Sequence, residues 1–116
     1  MSNSDCLFCR IVAGEISADV VHRTEDVLAF RDISPQAPVH VLVIPTGHIT
    51  SLEVARDGHR GVLGELMLAV RDIARAEDLA DAGYRTVLNT GDDGGQSVDH
   101  VHLHLLGGRA LTWPPG

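Results

Sequence analysis

The stretch Asp99-His100-Val101-His102-Leu103-His104-Leu105-Leu106-Gly107-Gly108 decides the fold of this chain. Its histidines alternate with branched apolar residues, which is the period of a β-strand with one face in a core. We predict a strand over residues 100–106, with Val101, Leu103 and Leu105 in the core and three imidazoles on the opposite face. The outer imidazoles would be ~13 Å apart, too far to share one metal ion. A solvated polar face is the alternative, although such faces more often carry Lys, Glu, Thr or Ser.

The composition indicates one domain with an aliphatic core. The chain has 116 residues, of which 44% are hydrophobic and 3% aromatic. A chain of this length buries a core without disulfides or metals. We predict a single domain over residues 1–116, with a flexible N-terminus at 1–4 and an extended C-terminal tail at 109–116.

Charge, hydropathy and cysteine usage indicate where the protein acts and which classes of partner it lacks. The formal net charge is -7 and the chain contains no lysine, so it is poorly suited to bind a nucleic-acid backbone. No apolar run approaches the ~20 residues of a membrane span, and the first residues lack a signal-peptide pattern. Two cysteines three positions apart form no disulfide framework. We therefore expect a cytoplasmic protein without a nucleic-acid or membrane partner.

The rest of the chain alternates between strand and helix patterns. A short helix over 6–13, capped by Ser4 or Asp5 and ended by Gly14, opens the chain. One long amphipathic helix is predicted at 58–77. The other apolar segments are typical of strands, at Val20–Arg23, Val27–Arg31, 39–44 and 85–89. Because the strands cluster and one long helix crosses over, we predict an α+β fold, with a mostly antiparallel five-stranded sheet, one long helix and one short helix.

A glycine-rich loop leads directly into the histidine strand. Gly94-Gly95-Gln96-Ser97 could turn successive N–H groups inward as an anion cradle, and Asn89 ends the strand before the loop. Backbone donors, an amide, a hydroxyl and imidazoles together could hold a phosphate while a histidine attacks phosphorus. A glycine loop alone is a weak signal, so this interpretation depends on the histidines beside it.

A Cys-x-x-Cys pair near the N-terminus predicts half of a zinc site. Cys6 and Cys9 have the spacing at which two thiolates bind one ion. His48 follows the predicted central strand and His100 begins the last one, so a Cys₂His₂ site would tie the N-terminal segment to the sheet. A redox dithiol and two small buried residues are the alternatives. The redox motif normally follows a strand in a βαβ pattern, which this region lacks.

His40 interrupts the apolar run at 39–44. A lone histidine there is more often a hydrogen-bonded core residue than a functional one. If its strand lies beside the histidine strand, His40 could reach the row of imidazoles and orient one of them.

The motifs together resemble the histidine-triad (HIT) superfamily and, within it, the HINT branch of histidine-triad nucleotide-binding proteins. His100 to Leu106 meets the pattern His-φ-His-φ-His-φ-φ, where φ is apolar. The similarity extends over about residues 5–116 and includes five further motifs: Asp32-Ile33-Ser34-Pro35-Gln36-Ala37-Pro38, Val43-Ile44-Pro45, Gly94-Gly95-Gln96-Ser97, Leu106-Gly107-Gly108-Arg109 and Trp113-Pro114-Pro115-Gly116. The paired cysteines, with His48 and His100, are similar to the bacterial zinc-containing members.

The resemblance implies a purine nucleoside phosphoramidase that acts through a nucleotidyl-histidine intermediate. His102 would be the nucleophile, His104 would help to bind the phosphate, and His40 would support the nucleophile. Ser97 would contact the phosphate or the leaving group. The resemblance also implies a homodimer in which Trp113 reaches the partner's site. The remaining substrate-binding residues it implies are Asp32 and Ile33 beside the ribose, Asn89, Gly95 and Gln96 beside the phosphate, and Leu7, Phe8, Ile11, Ile16 and Phe30 around the base.

Zinc would be structural, and the chemistry would need no metal. Three other functions stay open at this point: a dinucleoside polyphosphate hydrolase, a nucleotide-binding or scaffold module with little turnover, and a zinc module whose histidines only bind metal. Ser97 and the Trp-Pro-Pro-Gly tail favour the phosphoramidase over the polyphosphate hydrolase.

Overall fold

The computed structural model describes residues 5–116; the expected flexible segment at 1–4 lies outside them. Within this range, no helix is both long enough and apolar enough to cross a membrane. The elements, in chain order, are α1 (Leu7–Val12), β1 (Val20–Arg23), β2 (Val27–Arg31), β3 (Val39–Pro45), α2 (Arg60–Ala76), β4 (Tyr84–Leu88) and β5 (Leu103–Gly107), with 3₁₀ turns at Leu52–Val54 and Asp57–His59 before α2.

The five strands form one antiparallel sheet in the order β1-β2-β3-β5-β4. The predicted α+β architecture, with one long and one short helix, is confirmed. Strand β3 lies at the centre and pairs with β5, with Leu42 opposite His104 and His40 opposite Leu106. This register places the two histidines on diagonally adjacent positions of the same sheet face.

The sheet is covered on both faces, by different helices. The face under α2 holds the larger core, in which Val101, Leu103 and Leu105 pack as predicted. The opposite face holds a second core under α1, including Phe8 and Phe30. His104 falls on the α1 face because residues alternate along β5, and His100 and His102, which precede the strand, lie on the same face against Phe8 of α1. His100 and His102 are therefore buried beneath a helix, with exposed fractions of 0% and 3%.

The last strand is shorter than predicted, because it begins at Leu103 instead of residue 100. The partner strand ends at Pro45, which has no N–H for a ladder hydrogen bond. The backbone before Leu103 is fixed by other contacts: the N–H of Val101 donates to the Ile49 carbonyl at 2.7 Å. The boundary between loop and strand thus falls between the second and third histidines.

The helix ends also differ from the prediction. Helix α1 is capped by Cys6, whose sulfur accepts a hydrogen bond from the Cys9 N–H, and not by Asp5; the other predicted cap, Ser4, lies outside the described residues. Gly14 follows α1 with a φ of +79°, as expected of a residue that ends a helix. Helix α2 begins two residues later than predicted because Asp57–His59 forms a separate 3₁₀ turn.

Candidate active site and zinc centre

A cavity of about 290 Å³ opens on the α1 face of the sheet beside the second and third histidines. Its wall is apolar and comes from α1, β2 and the segment after α1. Polar side chains from the loops form its rim. The lining includes most residues of the predicted nucleotide site: Leu7, Phe8, Ile11, Ile16, Phe30, Asp32, Ile33, Ser97, His102 and His104. An apolar cavity with a few convergent polar groups is typical of a small-ligand site.

His102 is held in one tautomer by the backbone. Its Nδ1 lies 2.7 Å from the carbonyl oxygen of His100, and a carbonyl can only accept, so Nδ1 carries the hydrogen. The lone pair is therefore on Nε2. The ring of Phe8 packs edge-on against the imidazole, with centroids 5.1 Å apart at 86°. A neutral imidazole with a fixed Nε2 lone pair is equipped for nucleophilic attack.

His104 is fixed through a chain of hydrogen bonds that begins at a backbone N–H. The N–H of Gln36 donates to Nδ1 of His40 at 3.0 Å. The hydrogen of His40 is therefore on Nε2, which lies 2.9 Å from Nδ1 of His104. His40 donates in this contact and His104 accepts, which places the hydrogen of His104 on Nε2. His104 thus offers a donor, whereas His102 offers a lone pair.

Burial keeps this pair of histidines neutral. Desolvation, followed by the neighbouring His102 and His40, lowers the pKa of His104 to about 4. Desolvation also lowers the pKa of His40, while the carboxylate of Asp32, 3.5 Å from its Nε2, partly opposes that shift. Both rings are therefore uncharged near neutral pH.

The glycine-rich loop holds the expected phosphate-binding residues, but only Ser97 lines the cavity. The N–H groups of Gly95 and Gln96 donate within the loop, to the carbonyls of Asp92 and Gly91. The side chain of Gln96 binds three backbone groups, including the Thr50 carbonyl at 2.7 Å. In this structure Gln96 therefore anchors the loop. Asn89 lies beside the loop, with its amide 3.5 Å from the Gly95 carbonyl.

The C-terminal tail leaves Trp113 with 82% of its surface exposed, outside the cavity lining of its own chain. The guanidinium of Arg85 donates to the Thr112 carbonyl at 2.7 Å and holds the tail beside β4. Arg109 donates to the Gln36 carbonyl at 2.9 Å, and so fixes the loop that supplies the N–H to His40. Sequence reasoning missed the roles of both residues, because Gln36 acts through its backbone N–H and carbonyl, and the guanidinium of Arg109 binds that carbonyl and no side chain that a motif would mark.

A second cluster lies next to this cavity, on the other side of Phe8. The ligand atoms of Cys6, Cys9, His48 and His100 all lie within 4.8 Å of one another. Nδ1 of His100 is 3.3 Å from the Cys6 sulfur, and Nδ1 of His48 is 3.3 Å from the Cys9 sulfur. Tetrahedral zinc, with Zn–S near 2.3 Å and Zn–N near 2.0 Å, separates such atoms by about 3.5 Å. The predicted ligand set is therefore assembled and fits one structural zinc.

The tautomer of each histidine decides which of two clusters can bind a metal ion. Nε2 of His100 lies 2.9 Å from the Pro45 carbonyl, so Nε2 donates and Nδ1 presents its lone pair to the two thiols. Asp32, His40 and His104 also form a cluster of ligand types. In that cluster Nε2 of His40 carries the hydrogen and has no lone pair for a metal. Of the two clusters found in residues 5–116, the Cys₂His₂ cluster is therefore the one that fits zinc.

Comparison with known proteins identifies the family and a relative that binds zinc. Residues 13–111 match the model of the HIT domain family. A 14 kDa zinc-binding protein of Zea mays is 48% identical over 118 residues, covering 100% of this chain and 91% of that protein. The adenylylsulfatase HINT1 of Arabidopsis thaliana is 46% identical over 117 residues, covering 99% and 79%. The crystal structure of a HIT family hydrolase from Legionella pneumophila superimposes with a TM-score of 0.94 at 50% identity, covering 96% of this chain and 99% of that one.

Proposed function

Because the chain belongs to the HIT domain family, whose members include hydrolases, we propose that it releases a nucleoside monophosphate from purine nucleoside 5′-phosphoramidates or aminoacyl-adenylates. One observation carries the proposal. His102 lines an apolar cavity with its Nδ1–H bound to the His100 carbonyl, so that its nucleophilic nitrogen is Nε2. His104 and Ser97, which can donate to phosphate oxygens, line the same cavity.

The reaction proceeds in two displacements at phosphorus. Nε2 of His102 attacks the α-phosphorus; in a phosphoramidate the P–N bond breaks and the amine leaves with one proton taken from solvent. In an aminoacyl-adenylate the P–O bond of the mixed anhydride breaks instead, and the amino acid leaves as its carboxylate without a proton. The hydrogen bond from Nδ1 to the His100 carbonyl stabilises the positive charge that forms on the phosphorylated ring. Water then attacks phosphorus, releases the monophosphate and a proton, and returns His102 to its neutral form. Splitting the hydrolysis through a covalent intermediate replaces one difficult step with two easier ones.

The cavity accounts for binding of the nucleoside. Its apolar wall, which includes Phe8, Ile11 and Phe30, suits a purine base. Asp32 at the rim accepts from the ribose hydroxyls beside Ile33. His104 and Ser97 hold the phosphate, with Asn89, Gly95 and Gln96 in the neighbouring loop.

Adenylyl sulfate is a second candidate substrate, because a relative with 46% identity is named an adenylylsulfatase. The first step would be the same, with sulfate leaving in place of the amine. Sulfate is a weak base and leaves without a proton, so the two substrates place different demands on the site. A dinucleoside polyphosphate is the third compound to compare, and tight binding of AMP without turnover would indicate a binding module.

The test is a comparison of all three substrates with purified zinc-loaded protein and with the His102→Ala variant. Cleavage of an adenosine 5′-phosphoramidate in preference to diadenosine polyphosphate, abolished by the substitution, supports the proposal. Preference for adenosine 5′-phosphosulfate would assign the second candidate. Cleavage of the phosphoramidate that survives His102→Ala would refute the nucleophile.

We also propose that the chain works as a homodimer in the cytoplasm. Strand β4 lies at the sheet edge, and Met67 on α2, which is 55% exposed, borders an apolar hollow with Leu88 at the end of that strand. A second copy on this surface would cover Met67 and the hollow beside it. Trp113 would then contact the partner's substrate.

The cytoplasmic location and the absence of a nucleic-acid partner rest on two other features. A reducing compartment keeps both cysteines as thiols for zinc, and the net charge of -7 disfavours nucleic-acid polymers.

A further inference from the structure

The zinc cluster and the nucleophile share one residue, His100. Its Nδ1 faces both thiols, 3.3 Å from the Cys6 sulfur and 3.6 Å from the Cys9 sulfur. Its Nε2–H donates to the Pro45 carbonyl at 2.9 Å. Its own carbonyl accepts the Nδ1–H of His102 at 2.7 Å. The residue that completes the metal site is thus the residue that selects the tautomer of His102.

Phe8 makes a second connection between the two sites. It lies between Cys6 and Cys9 in the sequence, and it is buried, with 3% of its surface exposed. Its ring packs edge-on against His100, with centroids 5.8 Å apart, and against His102, with centroids 5.1 Å apart. Any movement of the cysteines away from the sheet therefore removes a ring that supports the nucleophile.

We propose that His100 and Phe8 are positioning residues, and that metal binding by Cys6, Cys9, His48 and His100 fixes the tautomer and ring orientation of His102. This inference rests on the proposed function, in which Nε2 of His102 attacks phosphorus. A positioning role for the bound zinc differs from a purely structural role in one measurable respect. A structural role affects only how much of the protein is folded, whereas a positioning role affects the folded protein's turnover.

The test begins with zinc removal from purified protein by a chelator, with metal content measured by elemental analysis and folding by circular dichroism. On the folded metal-free protein we expect kcat for an adenosine 5′-phosphoramidate to fall by roughly 10- to 100-fold, the range typical of lost outer-shell support. We expect KM to change by less than about 3-fold, because only one wall of the cavity moves. Readdition of zinc should restore kcat.

A readout independent of turnover is the imidazole ¹⁵N spectrum of protein labelled at histidine. In the zinc-loaded protein we expect His102 as a single Nδ1–H tautomer, and after zinc removal a mixture of tautomers. A folded metal-free protein with wild-type kcat and unchanged His102 resonances would overturn the proposal. If zinc-loaded protein cleaves no substrate, the proposed function fails, and the spectrum alone still decides the positioning role.

A variant that keeps all four ligands tests the same inference without removing metal. Phe8→Leu should retain one zinc per chain, reduce kcat and broaden or shift the His102 resonances. Val12→Ala is the matched control, because Val12 lies on the same helix and packs against the same core but does not line the cavity. We expect it to retain the wild-type kcat and the wild-type His102 spectrum. Wild-type kcat and an unchanged His102 spectrum in Phe8→Leu would contradict the role assigned to that ring.

Discussion

Nε2 of His40 lies 2.9 Å from Nδ1 of His104, and the Gln36 N–H on the far side of His40 sets the direction of that hydrogen bond. The direction matters because it turns His104 into a donor at the cavity. Two histidines that differ only in which nitrogen bears hydrogen can then perform different tasks, His102 as nucleophile and His104 as hydrogen-bond donor to the phosphate.

This neutral pair makes stability sensitive to acid. The pKa of His104 is about 4 in the folded protein and near 6.5 in an unfolded chain. Between these values the unfolded state binds more protons, so the stability that the neutral ring contributes is complete above about pH 6.5 and is lost as the pH falls toward 4. We expect this group to account for about 2–3 kcal/mol of the loss.

Denaturant unfolding at several pH values measures that loss. His104→Gln keeps a polar side chain and removes the titration, so its stability should decline less steeply over the same pH range than that of the wild type. Parallel curves for the two proteins would show that His104 is not the responsible group.

The assigned zinc ligands predict that substitution of His48, but not of His22, lowers the zinc content and the melting temperature. His48→Gln removes a ligand, whereas His22→Gln changes a histidine on β1 outside the cluster. We expect about one zinc per chain in the wild type and in His22→Gln. His48→Gln should contain much less zinc and melt roughly 10 °C lower or more, because metal binding contributes directly to folding free energy. Full zinc content in His48→Gln would contradict the assigned ligand set.

The loop before the histidines leaves no room for a side chain at Gly94. A β-carbon at this position would collide with the Thr90 carbonyl oxygen and lie 2.9 Å from its nitrogen. Gly94→Ala should therefore shift the loop that carries Ser97 and raise KM for the phosphoramidate by roughly 10-fold, an effect of about 1.4 kcal/mol. Gly47→Ala, where a β-carbon meets nothing within 4 Å, is the control. Equal kinetics in the two variants would mean that the loop absorbs the clash.

The proposed dimer predicts a specific monomer-forming substitution. Met67 is 55% exposed on α2 and borders an apolar hollow with Leu88 at the end of β4. A charge there would be buried against a second copy at high cost. Met67→Glu should therefore halve the mass in analytical ultracentrifugation. Val54→Glu introduces the same charge at another exposed apolar residue and should leave the mass unchanged; a monomeric wild type would refute the dimer.

The sequence predicted the sheet and the ligand set well because both depend on side-chain identity. Alternation placed Val101, Leu103 and Leu105 in the core, and the spacing of Cys6 and Cys9 indicated metal. It did not predict that a strand would begin only at Leu103, since the backbone before it is held by the distant Ile49 carbonyl and both partner strands stop pairing opposite Leu103.

The tautomers were the part that the sequence could not supply. They are set by backbone groups, the carbonyls of Pro45 and His100 and the N–H of Gln36. Any residue other than proline could provide such an N–H, and every residue has a carbonyl, so no side-chain pattern marks these positions. Gln96 was a sequence candidate for the phosphate site, but its side-chain amide binds backbone groups whose positions the sequence does not reveal.

The central claim is that Nε2 of His102 forms a covalent bond to phosphorus, and the most direct measurement is trapping of that intermediate. Zinc-loaded protein mixed with an adenosine 5′-phosphoramidate and quenched within milliseconds should show, by peptide mass spectrometry, one AMP moiety attached to His102. The adduct should be absent from His102→Ala. An adduct on another residue, or product formed during the burst with no adduct at all, would contradict the account.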